Sequence, residues 1–285
     1  MKIATIMAEK GGVGKTTVLY NFAEWLSAPV DVIVSTDAAG TPTFGQNKKV
    51  LLMDFDQQAS LTETYALLGA NGSTENMFRD QPVEIQHVRE NLDIIAGSYE
   101  LEQAAEATML KNGREMLLYW YMADHAADYN WDQYDYILID THPDFGVINQ
   151  NVTVTSNIIV SPLEPSKYGV SAKGKIEARL GFFKKSPAMR DMRTGESIVT
   201  AELVFFNNLI AHNESASQRL LQATESDPTV VATIQKRTAF PQSVEQSYPL
   251  VAMAQDSKLM TKYRKFFNEI NDEFDKIKAA IDLAE

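Results

Sequence analysis

The sequence contains no cysteine. Disulfides, thiol nucleophiles and thiolate-ligated iron–sulfur clusters are therefore excluded. It also lacks any run of about 18 apolar residues, the length a membrane-crossing helix needs. No export signal is visible. Met1 leads almost directly into an apolar run, without the basic, apolar and small-residue order of such a leader. Positive charge is scarce: 26 Lys and Arg face 38 Asp and Glu, for a formal net charge of -12. Bulk polyanions repel such a chain, so contact with DNA or anionic lipid would need a local basic patch. No internal repeat or low-complexity tract appears. These absences together lead to the expectation of a cytoplasmic protein.

What is present suits a substantial core. The 285 residues, 45% of them hydrophobic, fit one large α/β domain or two small ones. Short apolar runs at 3–8, 50–53, 92–96, 136–139, 158–160 and 203–206 are continuous rather than alternating. Continuous runs suit strands covered on both faces. The spacing between them predicts helices over 16–26, 101–109, 115–127, 170–183 and 215–224. Strand–helix alternation predicts an α/β fold, a mostly parallel twisted sheet with helices on both faces. Segment 258–281 places Leu259, Tyr263, Phe266, Phe267, Ile270, Phe274, Ile277 and Ile281 at a helical period, which predicts a helix docked on the sheet. Its acidic lower half (Asp272, Glu273, Asp275) disfavours anionic lipid. The stretch 27–47, rich in Thr, Ala, Gly and Pro, reads as an insertion that holds a short strand at 30–34 or forms a long surface loop.

The first apolar run leads into Glu9-Lys10-Gly11-Gly12-Val13-Gly14-Lys15-Thr16-Thr17. The general phosphate-loop pattern wants glycine at position 9, where Glu9 stands. A deviant form, with a leading lysine and a double glycine, fits instead. Glycines let successive backbone N–H groups turn inward on phosphate oxygens, and the following helix adds its positive end. Lys15 is expected to reach the β and γ phosphates, and Thr16 to place its hydroxyl on Mg2+. Gly11, Gly12, Val13, Gly14 and Thr17 complete the cradle. Lys10 lies too early to be the phosphate-loop lysine. A second cation there suits the charge that develops on a transferring phosphoryl group, and it could reach a neighbouring copy's nucleotide.

Two apolar runs end in aspartate: Asp54-Phe55-Asp56-Gln57-Gln58 and Asp140-Thr141-His142-Pro143. In open α/β sheets, ligands bind beyond the carboxyl ends of the strands, so both sets should face the phosphates. Asp140 is the candidate to hold Mg2+ through water, with Thr16. Asp56 is the candidate to orient and polarise the attacking water. Asp54 is expected to brace the metal site or the loop. An aspartate after a strand can also be an ordinary helix cap.

Taken together, 10–17, 51–60 and 134–146 resemble the ParA/MinD family of deviant Walker ATPases, and within it ParA-type partition ATPases most. Softer matches lie at 159–165, at Phe206-Asn207-Asn208, where Asn207 is expected on the nucleotide, and at 234–249. The resemblance implies a single P-loop ATPase domain over 1–285 that uses ATP and Mg2+. It also implies an ATP-sandwich homodimer with Lys10 on the partner's phosphates, slow hydrolysis stimulated by a ParB-type centromere-binding adaptor, and sequence-independent DNA binding at the nucleoid by the ATP form. The sequence departs from the family's pattern in the long 27–47 stretch, in Glu9 and in His142, which reads as a tolerated loop residue.

Three functional readings compete. DNA partition needs a basic patch, and the candidates are Lys236, Arg237, Lys258, Lys262, Arg264 and Lys265, with Lys173, Lys175 and Arg179 as a second group. Lys258, Lys262 and Lys265 should share a helix face. A MinD-like membrane positioner needs a basic amphipathic tail, but the chain ends with Asp282 and Glu285 and has no lysine after Lys278. A small-molecule ATP-dependent enzyme on the same fold is the third. The first strand starts at once after Met1, so operator-specific binding by this chain is not expected, and a separate adaptor should read the centromere.

Overall fold

The computed structural model describes residues 1–166 and 169–285. In chain order the elements are β1 (Lys2–Ile6), α1 (Lys15–Ser27), β2 (Ile33–Thr36), β3 (Pro42–Phe44), β4 (Val50–Phe55), α2 (Ser60–Thr64), α3 (Glu75–Arg79), β5 (Ile85–Arg89), β6 (Leu92–Ile95), α4 (Leu101–Glu106), α5 (Leu117–Asp124) and α6 (Ala126–Tyr129). They continue with β7 (Tyr136–Thr141), α7 (Val147–Thr155), β8 (Ile158–Leu163), α8 (Gly169–Lys184), β9 (Glu202–Ile210), α9 (Ser215–Thr224), β10 (Val230–Gln235), α10 (Ala239–Glu245), α11 (Leu250–Gln255) and α12 (Ser257–Leu283).

Eight strands form one sheet in the order β10-β9-β8-β1-β7-β4-β6-β5. Every pairing is parallel except β5 against β6. The continuous apolar runs explain this. Along β4, Val50 and Leu52 enter the core on one face, while Leu51, Met53 and Phe55 enter the core on the other. β7 divides in the same way, with Leu138 on the first face and Ile137 and Ile139 on the second. Since side chains alternate along a strand, only a sheet covered on both sides can bury both sets.

The first face carries α1, α11 and α12. Phe22, Trp25 and Phe274 pack ring against ring there, and Trp25 Nε1 donates to Asn271 Oδ1 at 3.0 Å. The amphipathic C-terminal helix is thus docked, and Asp256 caps it by accepting from the Lys258 and Leu259 N–H groups. Its last turn is held to the amino ends of the strands: Tyr136 Oη pairs with Asp282, and Lys2 Nζ donates to the Ala284 carbonyl.

Several boundaries differ from the sequence reading. The stretch 27–47 is neither a lone strand at 30–34 nor an unstructured loop. β2 and β3 pair antiparallel across a turn closed by the Asp37 N–H on the Thr41 carbonyl at 3.0 Å. The segment 115–127 divides into a 3-10 turn, α5 and α6, and β5 joins the sheet from a segment not expected to be a strand. α12 is interrupted at Tyr263 (φ -115°, ψ 19°).

Candidate functional site

β1, β7 and β4 lie side by side in register, with Ile6 opposite Asp140 and Asp140 opposite Asp54. Their carboxyl ends therefore open at one level, where the phosphate loop leaves β1. Gly12 (φ 75°) and Gly14 (φ 86°) adopt left-handed backbone that other residues avoid. A Cβ on Gly14 would also meet Asn208 Nδ2 at 2.6 Å. α1 starts at Lys15, so the unpaired N–H groups of its first turn face the loop.

Lys15 is buried, and its charge acts on Asp140 together with those of Asp54 and Asp56. Thr16 Oγ1 donates to Asp140 Oδ2 at 2.6 Å. Burial first, and then the Asp54 charge, raise the Asp140 carboxyl well above the ordinary range, against the pull of Lys15 and Thr16. Thr17 offers its carbonyl to Asn21 Nδ2 at 2.9 Å, which steadies the first turn of α1.

This donor set fits a hydrated divalent cation beside a polyphosphate. Among the described residues, no three His, Cys, Asp or Glu side chains are grouped to hold a metal alone. One hydroxyl and one carboxylate suit Mg2+, which keeps several waters and takes its remaining ligands from phosphate oxygens.

Asp54 does not belong to that set. Its Oδ1 accepts from the Asp56 N–H at 3.0 Å, and its Oδ2 accepts from the Thr62 N–H and hydroxyl at 2.9 and 2.7 Å. Both oxygens thereby join β4 to α2. Asp56 is buried at the next turn, with Oδ1 accepting from the Gln58 N–H at 2.9 Å.

Asn207, expected on the nucleotide, points elsewhere in this structure. Its amide donates to Thr224 Oγ1 and Thr233 Oγ1 at 2.9 and 3.3 Å, toward α9 and β10. Strand alternation instead turns Asn208 to the phosphate loop, where it donates to the Val13 carbonyl at 2.8 Å. The parity of β9 was the available signal for Asn208.

Lys10 is more than half exposed and pairs within the chain with Glu164, just beyond β8. Glu9 pairs with Arg179 of α8 at 2.8 Å, and His142 faces Asp144 at 3.4 Å. Pro143 lies against Gly11. Glu164 and Arg179 are 154 and 170 residues from their partners, too far for any local pattern to announce.

The basic candidates are dispersed. Lys236 faces Glu214 at 3.9 Å, while Arg237 and Lys265 share Glu269 at 3.9 and 3.6 Å. The interruption at Tyr263 separates Lys258 and Lys262 from Lys265, so the single face expected of them is not continuous. Arg264 is only half exposed, whereas Lys258 and Lys262 are exposed. Of the second group, Lys173 is tied to Glu177 and Asp227.

Residues 1–190 match the family model described as AAA domain. The chromosome-partitioning ATPase Soj of Treponema pallidum is 29% identical over 172 residues, which cover 57% of this chain and 57% of that protein. The chain thus spans little more than half the length of that relative. Among solved structures, a plasmid partition protein from Borrelia burgdorferi has a TM-score of 0.63 at 23% identity, covering 89% of this chain and 97% of that one. Cobyrinic acid a,c-diamide synthase from Mycobacterium smegmatis, with bound ATP analogue and magnesium, has a TM-score of 0.62 at 17% identity, covering 93% and 96%. Identities this low speak to fold alone. The family match covers more than half of the sequence, and by it the chain belongs to the AAA-domain family.

Proposed function

We propose that this chain binds ATP with Mg2+, hydrolyses it to ADP and phosphate, and uses that cycle to partition DNA. The observation that carries the reading is the Thr16–Asp140 hydrogen bond at the foot of a helix that begins with Lys15. Hydroxyl, carboxylate and lysine converge where the loop's N–H groups would hold phosphate. Bound Mg2+ would neutralise charge on the β and γ phosphates. Lys15 holds those phosphates, Thr16 and Asp140 hold the cation directly and through water, and Asp56 orients the attacking water. Asp54 keeps Asp56 in place by accepting its N–H.

In the ATP-bound form two copies close face to face, and Lys10 leaves Glu164 for the partner's phosphates. The dimer doubles a modest basic patch centred on Lys258 and Lys262. DNA affinity then rises through effective concentration without a new type of contact. A ParB-type adaptor stimulates turnover. The likeness to partitioning proteins in sequence and fold supports this reading.

The likeness to the diamide synthase keeps a small-molecule ATP-dependent enzyme as the second reading. A membrane role is disfavoured by α12, whose apolar residues Phe274, Ile277 and Ile281 are buried against the rest of the chain. No helix among the described residues is long and apolar enough to cross a membrane.

A gel shift on unrelated duplexes with ATP, ADP and no nucleotide separates the readings. ATP-selective binding, indifferent to sequence and steeply weakened by salt, is expected. Hydrolysis without ATP-selective DNA binding would favour the small-molecule enzyme. Light scattering with ATP and Mg2+ should show a dimer that Lys10→Ala weakens.

A further inference from the structure

On the α8 side of the phosphate loop, one surface is apolar at its centre and bordered by Arg179. A groove of about 440 Å3 lies between α8 and the turn that enters α7, lined by Phe145, Gln150, Ala178, Arg179, Phe182 and Phe183 among others. The Phe145 and Phe183 rings meet edge to face at 5.6 Å and form its floor. Phe183 is buried, whereas Phe182 is 80% exposed. Neighbouring helix residues point about 100° apart, so one anchors α8 and the other stands in solvent.

Arg179 is the one charged side chain among the described lining residues, and the segment that carries it is basic. Within 173–193, seven Lys and Arg oppose only Glu177 and Asp191, a local +5 in a chain of -12. Lys173 and Lys184 are engaged, with Glu177 and Asp227 and with the Ala201 carbonyl. Lys175, Arg179, Lys185, Arg190 and Arg193 are exposed. Helical spacing puts Lys175, Arg179 and Phe182 on one stripe of α8. Duplex DNA could meet these charges, but its phosphates offer nothing to cover Phe182 and Phe145.

The geometry points to a docking groove for an acidic amphipathic helix of a partner protein. Phe182 is its apolar anchor, and Lys175, Arg179 and Lys185 read the partner's carboxylates. Charge complementarity selects this occupant. Arg179 already binds a carboxylate, that of Glu9 at 2.8 Å. A docking carboxylate therefore competes with the residue next to Lys10 and links the groove to the phosphate loop. Any effect on hydrolysis rests on the ATPase reading above, but the docking itself does not.

The test is fluorescence anisotropy on the full chain. The probe is a labelled helix-forming peptide of about 14 residues with Leu and Phe at i, i+3, i+4 and i+7 and Glu elsewhere. Its twin carries Lys in place of Glu. The Glu probe should bind and the Lys twin should not. Phe182→Asp, at a position exposed enough to leave folding intact, should weaken binding about tenfold or more. Arg179→Ala should weaken it about threefold, and Glu9→Gln, which frees Arg179, should tighten it about twofold.

Failure of the Glu probe, equal binding of the two probes, or an unchanged Phe182→Asp would overturn the proposal. So would two other outcomes without probe binding. A duplex that needs Lys175 and Lys185 would make the groove a nucleic-acid face. Loss of the ATP-dependent dimer in Phe182→Asp would make it a contact between copies of this chain.

Discussion

At the start of α1, Lys15 is 6% exposed and acts on a buried carboxylate. On α12, Lys265 is 87% exposed at its side chain and leans on Glu269 at 3.6 Å. Both cations stand in segments that the sequence marks for an anionic ligand. The loop is imposed by backbone: left-handed glycines, a helix start and strand ends in register leave Lys15 one place to be. The α12 patch is a count of charges, and acids from the same helix and from other elements enter the count. Exposed pairs of this kind are worth about 1 kcal/mol or less and rearrange readily. A motif whose positions are constrained by chain geometry therefore carries more functional weight than a cluster of like side chains.

The widest gap between the two regions should appear with Lys15→Ala. ATP affinity should fall about 100-fold or more, because a charge-assisted contact inside a water-poor cradle is lost. Calorimetric titration checks this, and near-normal affinity would remove Lys15 from the phosphate site. Asp56→Ala should bind ATP normally yet turn over about 100-fold more slowly, as expected when a water-orienting group is removed. Phosphate release measured beside nucleotide affinity separates the two effects.

A structural effect follows from Glu24 on α1, which pairs with Arg89 at 2.9 Å and accepts from the Tyr65 hydroxyl at 3.1 Å. Burial pushes its carboxyl up to about 7 from 4.5, although Arg89 and Tyr65 pull the other way. Between those pH values the folded state holds a proton that the unfolded chain has released. Stability from this group is thus present at the acid side and falls as pH rises toward 7, by about 3 kcal/mol at most. Glu24→Gln should flatten that slope in urea melts taken at several pH values. An unchanged slope would mean that Glu24 stays ionised in the fold.

The smallest effect is expected on α12. Replacing Lys258 and Lys262 by Glu should reduce the salt slope of DNA binding by about 2 and leave ATP-driven dimerisation intact. Lys265→Glu alone should do less, since Glu269 already engages that lysine. If Lys265→Glu has the larger effect, its pairing breaks on DNA and the contrast between the regions narrows.

The sequence by itself determined the parts of this protein that depend on neighbouring residues. Continuous apolar runs require strands buried on both faces. Glycines at 12 and 14 permit a loop that bends its N–H groups inward, and aspartates at the ends of strands arrive beside it. Chirality and contiguity are enough for each of these, so they are legible residue by residue. Tertiary structure decided what depends on distant partners. Asn208 rather than Asn207 meets the loop because of the side from which β9 enters the sheet. Asp54 accepts from Thr62 because α2 folds back onto the end of β4, and Lys10 faces Glu164 because β8 ends beside β1. Each is settled by how separate elements pack against one another, and no local pattern encodes which side chain then stands opposite which.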